Sequence, residues 1–425
     1  MNIRVLYHKS ISDRNGCAKV NRAFAENEQQ FLAYTGHNVV VYDSSWAESR
    51  SSAIEKEKSK KIKVSEEKSS ESHLKVLKRR IKSLLGAKIM RKYANLHEIV
   101  KEKYAQSYWA TKKWMEQAWW MYPRYFIEKY LDSGLNDDAC VFHTVMECWA
   151  YIDICSRNNI EVKRFILVLH NDGVLYKMAL ENFPILKGRK YHKVIIKRAE
   201  TCYDLAQRIV FVSERSAMTF KEHYPQYADK VRFVHNGIED RVSNAEPVFD
   251  GKIRMVTVGS VYKGKNQIMQ IDCLKQIRKQ CDATLTIIGG GEGLKECKQR
   301  AKELGVEQWV SFLGSIDGVA DELAKCNLFV MSSFSEGLPI AAIEALRAKL
   351  PVVLTDVGGC RELIEDNGYL VHPSIDEITD AVVDFGKDVE KQKRMSDASY
   401  RLFKEKFTVD AMIKGYSEII REVFG

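Results

Sequence analysis

Ser335-Glu336-Gly337-Leu338-Pro339-Ile340-Ala341-Ala342-Ile343-Glu344-Ala345-Leu346 follows closely on the apolar run Leu328-Phe329-Val330-Met331. The run reads as a short buried strand. The longer stretch opens a helix, with Pro339 in the first turn, where a missing N–H is tolerated. Glu336 then sits on the connecting loop and Glu344 about two turns into the helix. A helix that starts at the carboxyl end of a parallel strand points bare N–H groups into the crevice where α/β sheets bind ligands. Two carboxylates beside such an end are poor phosphate ligands and good acceptors for hydroxyl groups. A diphosphate flanked by two polyols is a nucleotide sugar.

Working outward, further apolar runs alternate with helical patterns, which implies parallel sheets. Asn2–Tyr7, Asn38–Asp43, Ala139–His143, Arg164–His170, Gln207–Ser213 and Val231–Glu239 supply strands of a first domain. Ile253–Gly259, Ala283–Gly289, Val310–Gly314, Leu328–Met331 and Pro351–Thr355 make five βα units of a second. Residues 240–252 read as the linker, and the chain closes with helices at about 375–405 and 408–424. The length, 425 residues, is too great for one core. Net charge is +9 with a pI near 8.8, which suits an anionic partner. Ten scattered cysteines form neither Cys-x-x-Cys nor a zinc spacing, and no apolar run is long enough to span a bilayer. The start, Met1 to Tyr7, reads as a strand rather than a leader. Reduced thiols in a cytoplasmic setting are expected.

The string Phe334-Ser335-Glu336-Gly337-Leu338-Pro339 with Glu344-Ala345, a Glu-x7-Glu pair on strand, loop and helix, resembles the donor site of glycosyltransferase family 4, retaining enzymes of the GT-B fold. The resemblance implies two doubly wound Rossmann-like α/β domains facing a cleft. Residues 1–245 would bind the acceptor, 246–407 the nucleotide sugar, and 408–425 would return to the first domain. It implies that Glu336, with the backbone of Gly337 and Leu338, holds the transferred sugar, and that Glu344 holds the ribose. Lys265, before Asn266-Gln267, matches the family lysine for the diphosphate. Ser260 occupies the place of the family arginine, and Lys263 is the nearby cation that could replace it. Gly290, in Gly289-Gly290-Gly291-Glu292-Gly293, lies by analogy close to the nucleotide, and Ser315, in Phe312-Leu313-Gly314-Ser315-Ile316, falls on the base-binding turn. Gly16, in Asn15-Gly16-Cys17-Ala18, matches a diphosphate loop whose second glycine is Cys17 here. His170, at a strand end, matches a histidine near the transferred sugar; His143 ends the neighbouring strand. Asn236-Gly237 matches a family turn.

The implied chemistry is retaining transfer of a hexosyl group from a UDP- or GDP-linked donor, with Glu336 and His170 at the reacting centre and no cofactor. No Asp-x-Asp stands at a strand end, and metal independence is expected. Other readings are a nucleotide-sugar epimerase and a non-catalytic partner of a glycan-assembly complex. The latter is motivated by Ser260 and Cys17.

Residues 44–71 read as a mobile insertion. Lys75, Lys78, Arg79, Arg80, Lys82, Lys88, Arg91 and Lys92 then interleave with Leu74, Leu77, Ile81, Leu84, Leu85 and Ile89, giving a basic amphipathic helix. Tyr108, Trp109, Trp114, Trp119, Trp120 and Tyr122 follow, residue types that favour lipid headgroups. Residues 72–122 are therefore expected to touch an anionic membrane surface, placing the protein peripherally on the inner face of the plasma membrane. A glycan or lipid-linked acceptor of capsule or lipopolysaccharide suits that place. The competing reading packs the tryptophans into the first domain. No nucleic-acid module is present.

Overall fold

The computed structural model describes residues 1–10, 13, 16–44, 107–171, 174–241 and 246–425. The basic segment 72–106 and most of the insertion before it lie outside the described residues. Among the described residues the chain forms two six-stranded parallel sheets, whose domains meet through contacts such as Gly337 with His170 and Lys19 with Glu344.

The first sheet contains β1 (Asn2–Tyr7), β2 (Asn38–Asp43), β3 (Ala139–Phe142), β4 (Arg164–Leu169), β5 (Arg208–Phe211) and β6 (Val231–Phe233), in the order β2-β1-β3-β4-β5-β6. Strand β4, RFILVL, is buried at every residue after the first, as expected of a parallel strand covered on both faces. The second sheet contains β7 (Ile253–Val258), β8 (Ala283–Ile288), β9 (Val310–Gly314), β10 (Leu328–Met331), β11 (Val352–Thr355) and β12 (Gly368–Val371), in the order β12-β11-β10-β7-β8-β9. Strand order reverses between β1 and β3 in one sheet and between β7 and β10 in the other. Open α/β sheets hold ligands at such switch points.

One apolar cluster spans both domains. It joins Val20, Phe24 and Phe31 to Ile340, Ile343 and Leu346, and to Met412, Tyr416 and Ile420 of the last helix, Val409–Phe424. That helix also reaches the first domain through Glu422, which pairs with Arg208 and Arg232 at 2.7 and 2.5 Å.

Four expectations need correction. Strand β12 was not anticipated: Gly368-Tyr369-Leu370-Val371 is too short to show a period, yet it pairs with β11 in the register Val352↔Gly368. Pro339 caps the helix Ile340–Arg347 rather than entering it, so Glu344 is its fifth residue, little more than one turn in. The expected helix at 375–405 is two, Ile375–Phe385 and Val389–Lys406, parted at Gly386.

The fourth concerns the aromatic cluster. Trp114 and Trp120 are core residues. Trp114 packs on Phe183 with centroids 5.1 Å apart, and Trp120 Nε1 donates to the Tyr191 hydroxyl at 3.1 Å. The Arg198 guanidinium lies 4.5 Å over the Trp120 ring. These side chains sit on the helix Tyr108–Met115 and the π-helical turn Glu116–Met121. Among the described tryptophans only Trp109 is strongly exposed, at 71%.

Candidate active site

Loops that follow the strands at both switch points meet in the cleft. In the second domain β10 is wholly buried and runs into Ser332 and Ser333, also buried. The Ser332 hydroxyl donates to the Asn266 carbonyl at 2.8 Å, and Phe334 N–H to the Gly264 carbonyl at 2.9 Å. These bonds tie the loop after β10 to the loop after β7. As a result Lys265 Nζ lies 2.5 Å from Glu336 Oε1. Burial alone would lower the lysine pKa, but the Glu336 carboxylate outweighs it and holds the group above its ordinary value. The ammonium stays charged at neutral pH.

The loop 335–339 also leans on the first domain. A Cβ at Gly337 would collide with the His170 carbonyl oxygen, so the close approach of the two backbones requires glycine there. Gly359 N–H donates to the Gly337 carbonyl at 2.7 Å, and Asn236 Nδ2 to the buried Leu338 carbonyl at 3.2 Å. His170 therefore stands beside the Glu336 loop. Its ring stacks on His143 at 5.2 Å, with His143 Nδ1 and His170 Nε2 2.8 Å apart. One ring donates and the other accepts, so the pair holds only when at least one is neutral. Burial pushes His170 down to about 4. Burial, with His170 as neighbour, pushes His143 well below its ordinary value.

Glu344 is 9% exposed and faces the first domain. Its Oε1 accepts from Lys19 Nζ at 2.5 Å, while Oε2 is buried without a partner. Lys19 lies on the helix Gly16–Glu26. A Cβ on Gly16 would stand 3.2 Å from Ile340 Cγ1, so this loop abuts the start of the Glu344 helix. Burial raises the Cys17 thiol to about 11, which leaves it protonated and inert.

Ser260, Gly290 and Ser315 come together on the loops after β7, β8 and β9. Val261 N–H donates to the Gly290 carbonyl at 2.9 Å, Gly289 N–H to the Gly314 carbonyl at 2.8 Å, and a Cβ on Gly290 would lie 3.1 Å from Ser315 Oγ. Ser260 is exposed, and its carbonyl accepts from Gln267 Nε2 at 3.1 Å. Lys263 is exposed as well.

Sequence reasoning passed over two features. Lys19 had no motif and is brought to the cleft only by the docking of the domains. His8 follows β1 as His143 follows β3 and His170 follows β4, so three histidines stand at the carboxyl ends of adjacent strands. The equal spacing past each apolar run was legible but went unused. His8 Nδ1 lies 2.6 Å from Glu147 Oε1, and Glu147 Oε2 accepts from the Thr144 hydroxyl at 3.2 Å. The carboxylate can only accept, so the ring donates through Nδ1 and its orientation is fixed.

Residues 239–402 match the family model described as Glycosyl transferases group 1. The O-antigen biosynthesis glycosyltransferase WbnH of Escherichia coli is 34% identical over 144 residues, 34% of this chain and 40% of that protein. The amylovoran biosynthesis glycosyltransferase AmsD of Erwinia amylovora is 28% identical over 185 residues, 42% of this chain and 51% of that protein. The chain thus spans about half or less of the length of these curated relatives. HepE of Anabaena, solved with UDP and glucose, superposes with a TM-score of 0.64 at 15% identity, covering 99% of this chain and 100% of that one. Residues 239–402 therefore form a Glycosyl transferases group 1 domain, in a chain whose paired six-stranded parallel sheets have the GT-B fold.

Proposed function

We propose that this chain is a retaining glycosyltransferase of family 4, moving a hexosyl group from a UDP- or GDP-linked sugar to a glycan or lipid-linked acceptor of a cell-surface polysaccharide. The observation that carries the reading is the pairing of Glu336 with Lys265, at 2.5 Å, beside the start of the helix Ile340–Arg347. Donor binding exchanges these partners: the sugar hydroxyls take the carboxylate, and the diphosphate takes the ammonium. Glu344 holds the ribose in the same way. Gly16, Gly290, Gly337 and Leu338 let backbone approach the donor, and Ser260 and Ser315 line the loops around it. The relatives' names, in O-antigen and amylovoran synthesis, support the glycan class.

In this mechanism the bond from the anomeric carbon to the diphosphate breaks with its electron pair on the phosphate. The acceptor oxygen bonds to that carbon on the same face, and its proton passes to the departing phosphate. Glu336 and His170 orient the sugar, while Lys265 and the helix N-terminus stabilise the leaving charge. Lysine charge and backbone N–H groups serve in place of a metal. We place the protein peripherally at the inner membrane face, where the segment before Ser107 and the exposed Trp109, Met121 and Tyr125 contact anionic lipid. The test is to incubate the protein, in EDTA, with UDP- and GDP-sugars and extracted membrane glycolipid. Retention gives a product whose anomeric configuration by proton NMR matches the donor. Inversion contradicts the mechanism, and interconversion of the donor sugar without acceptor identifies an epimerase.

A further inference from the structure

Lys19 is a first-domain cation whose ammonium reaches across the cleft to a second-domain acid. It is the fourth residue of the helix Gly16–Glu26, 30% exposed at its side chain, and it pairs with Glu344 Oε1 at 2.5 Å. The other oxygen of that carboxylate is buried with no partner, although the residue is nine-tenths buried. A buried carboxylate oxygen without a donor is costly unless a hydroxyl or amide arrives to meet it. Glu344 and Lys19 thus form a half-satisfied polar site at the domain boundary. Lys265 and Glu336 form a second ammonium–carboxylate pair at the other end of the same motif.

The order of groups in a nucleotide sugar is sugar, diphosphate, ribose. With the sugar on Glu336 and the ribose on Glu344, the diphosphate lies between the two acids. Each phosphate then has an ammonium at its own end: Lys265 on the sugar side and Lys19 on the ribose side. Neither Ser260 nor the exposed Lys263 is needed for charge balance.

We propose that Lys19 is a donor-binding residue: it leaves Glu344 when ribose hydroxyls arrive and pairs with the phosphate nearer the ribose. This rests on the donor-site reading above. Because Lys19 belongs to the first domain, the diphosphate is then gripped by both domains, and nucleotide binding favours the closed cleft.

Calorimetric titration of the full chain with UDP, UMP and uridine, and with the guanosine series in parallel, tests the assignment. Lys19→Ala is expected to weaken diphosphate and monophosphate binding about tenfold or more, the loss of one charge-assisted hydrogen bond. Nucleoside affinity should change less than twofold, Lys19→Arg should recover most of the loss, and Lys263→Ala should bind as the parent does. Equal UDP affinity in Lys19→Ala and parent overturns the proposal. So does an equal loss for uridine and UDP, which would reduce Lys19 to a prop for Glu344. If the parent binds neither UDP nor GDP, the donor-site reading itself falls.

Discussion

Lys265 keeps its charge in a place that disfavours charge, because the Glu336 carboxylate outweighs the burial of its ammonium. Removing the lysine strands a carboxylate that is only 9% exposed. Lys265→Met should therefore lower stability by about 1–3 kcal/mol, read in a urea titration, and Glu336→Gln by less, since the amide oxygen still accepts the bond. Glu336→Gln should nonetheless cut transfer on the order of a hundredfold. The stacked histidines lose stability on acidification, because folding disfavours their charged forms. The folded pKa of His170, about 4, lies below the ordinary 6.5, so the unfolded chain binds more protons between those values. That part of the stability is complete above pH 6.5 and is lost as the pH falls toward 4. His143, buried deeper and shifted the same way, steepens the loss. Urea midpoints at pH 7.5 and 5 should show this, and His170→Gln should flatten the dependence.

At the scale of elements, apolar runs marked eleven of the twelve strands among the described residues, because a parallel strand covered on both faces needs an unbroken apolar string. Strand β12 escaped, since Gly368 and Tyr369 give its four residues no such string. The Glu-x7-Glu stretch located its loop and helix, but Glu344 falls little more than one turn into the helix rather than two: proline at the cap and proline in the first turn look alike in sequence. The tryptophans were ambiguous for a physical reason. An indole suits a headgroup layer or a core with a polar partner, and only the fold supplies Tyr191 and Arg198 to Trp120. Trp120→Ala should then cost about 3–5 kcal/mol in denaturant unfolding, whereas the exposed Trp109→Ala should stay within about 0.5 kcal/mol. A vesicle-flotation assay with anionic lipid should respond to Trp109→Ala. Retained flotation in that variant contradicts the place proposed for it in a membrane contact.

The whole molecule depends on contacts that no single segment encodes. Lys19 meets Glu344 only because the domains dock, and local patterns carry no trace of it. A second crossing is built on Glu362, in the 3-10 turn Gly358–Leu363. Its carboxylate accepts the N–H groups of Glu214 and Arg215, each at 2.9 Å, capping the first-domain helix Glu214–His223. His235 Nε2 adds a third bond at 2.6 Å. Burial opposes the charge, yet His235 and the two backbone donors hold Glu362 below the usual range. Glu362→Ala should loosen the closed arrangement, seen as a larger radius of gyration in solution scattering and several-fold weaker UDP binding. An unchanged radius would mean that the shared apolar cluster and the last helix hold the domains without it. The central claim, a nucleotide-sugar site built on Glu336 and Glu344, is tested most directly by thermal unfolding with UDP, GDP and their sugar conjugates in EDTA. Ligand bound only by the folded state raises the melting temperature by mass action. The account predicts a rise of several degrees with one base family, lost in Lys265→Ala. No rise with any nucleotide, or an equal rise in that variant, would contradict it.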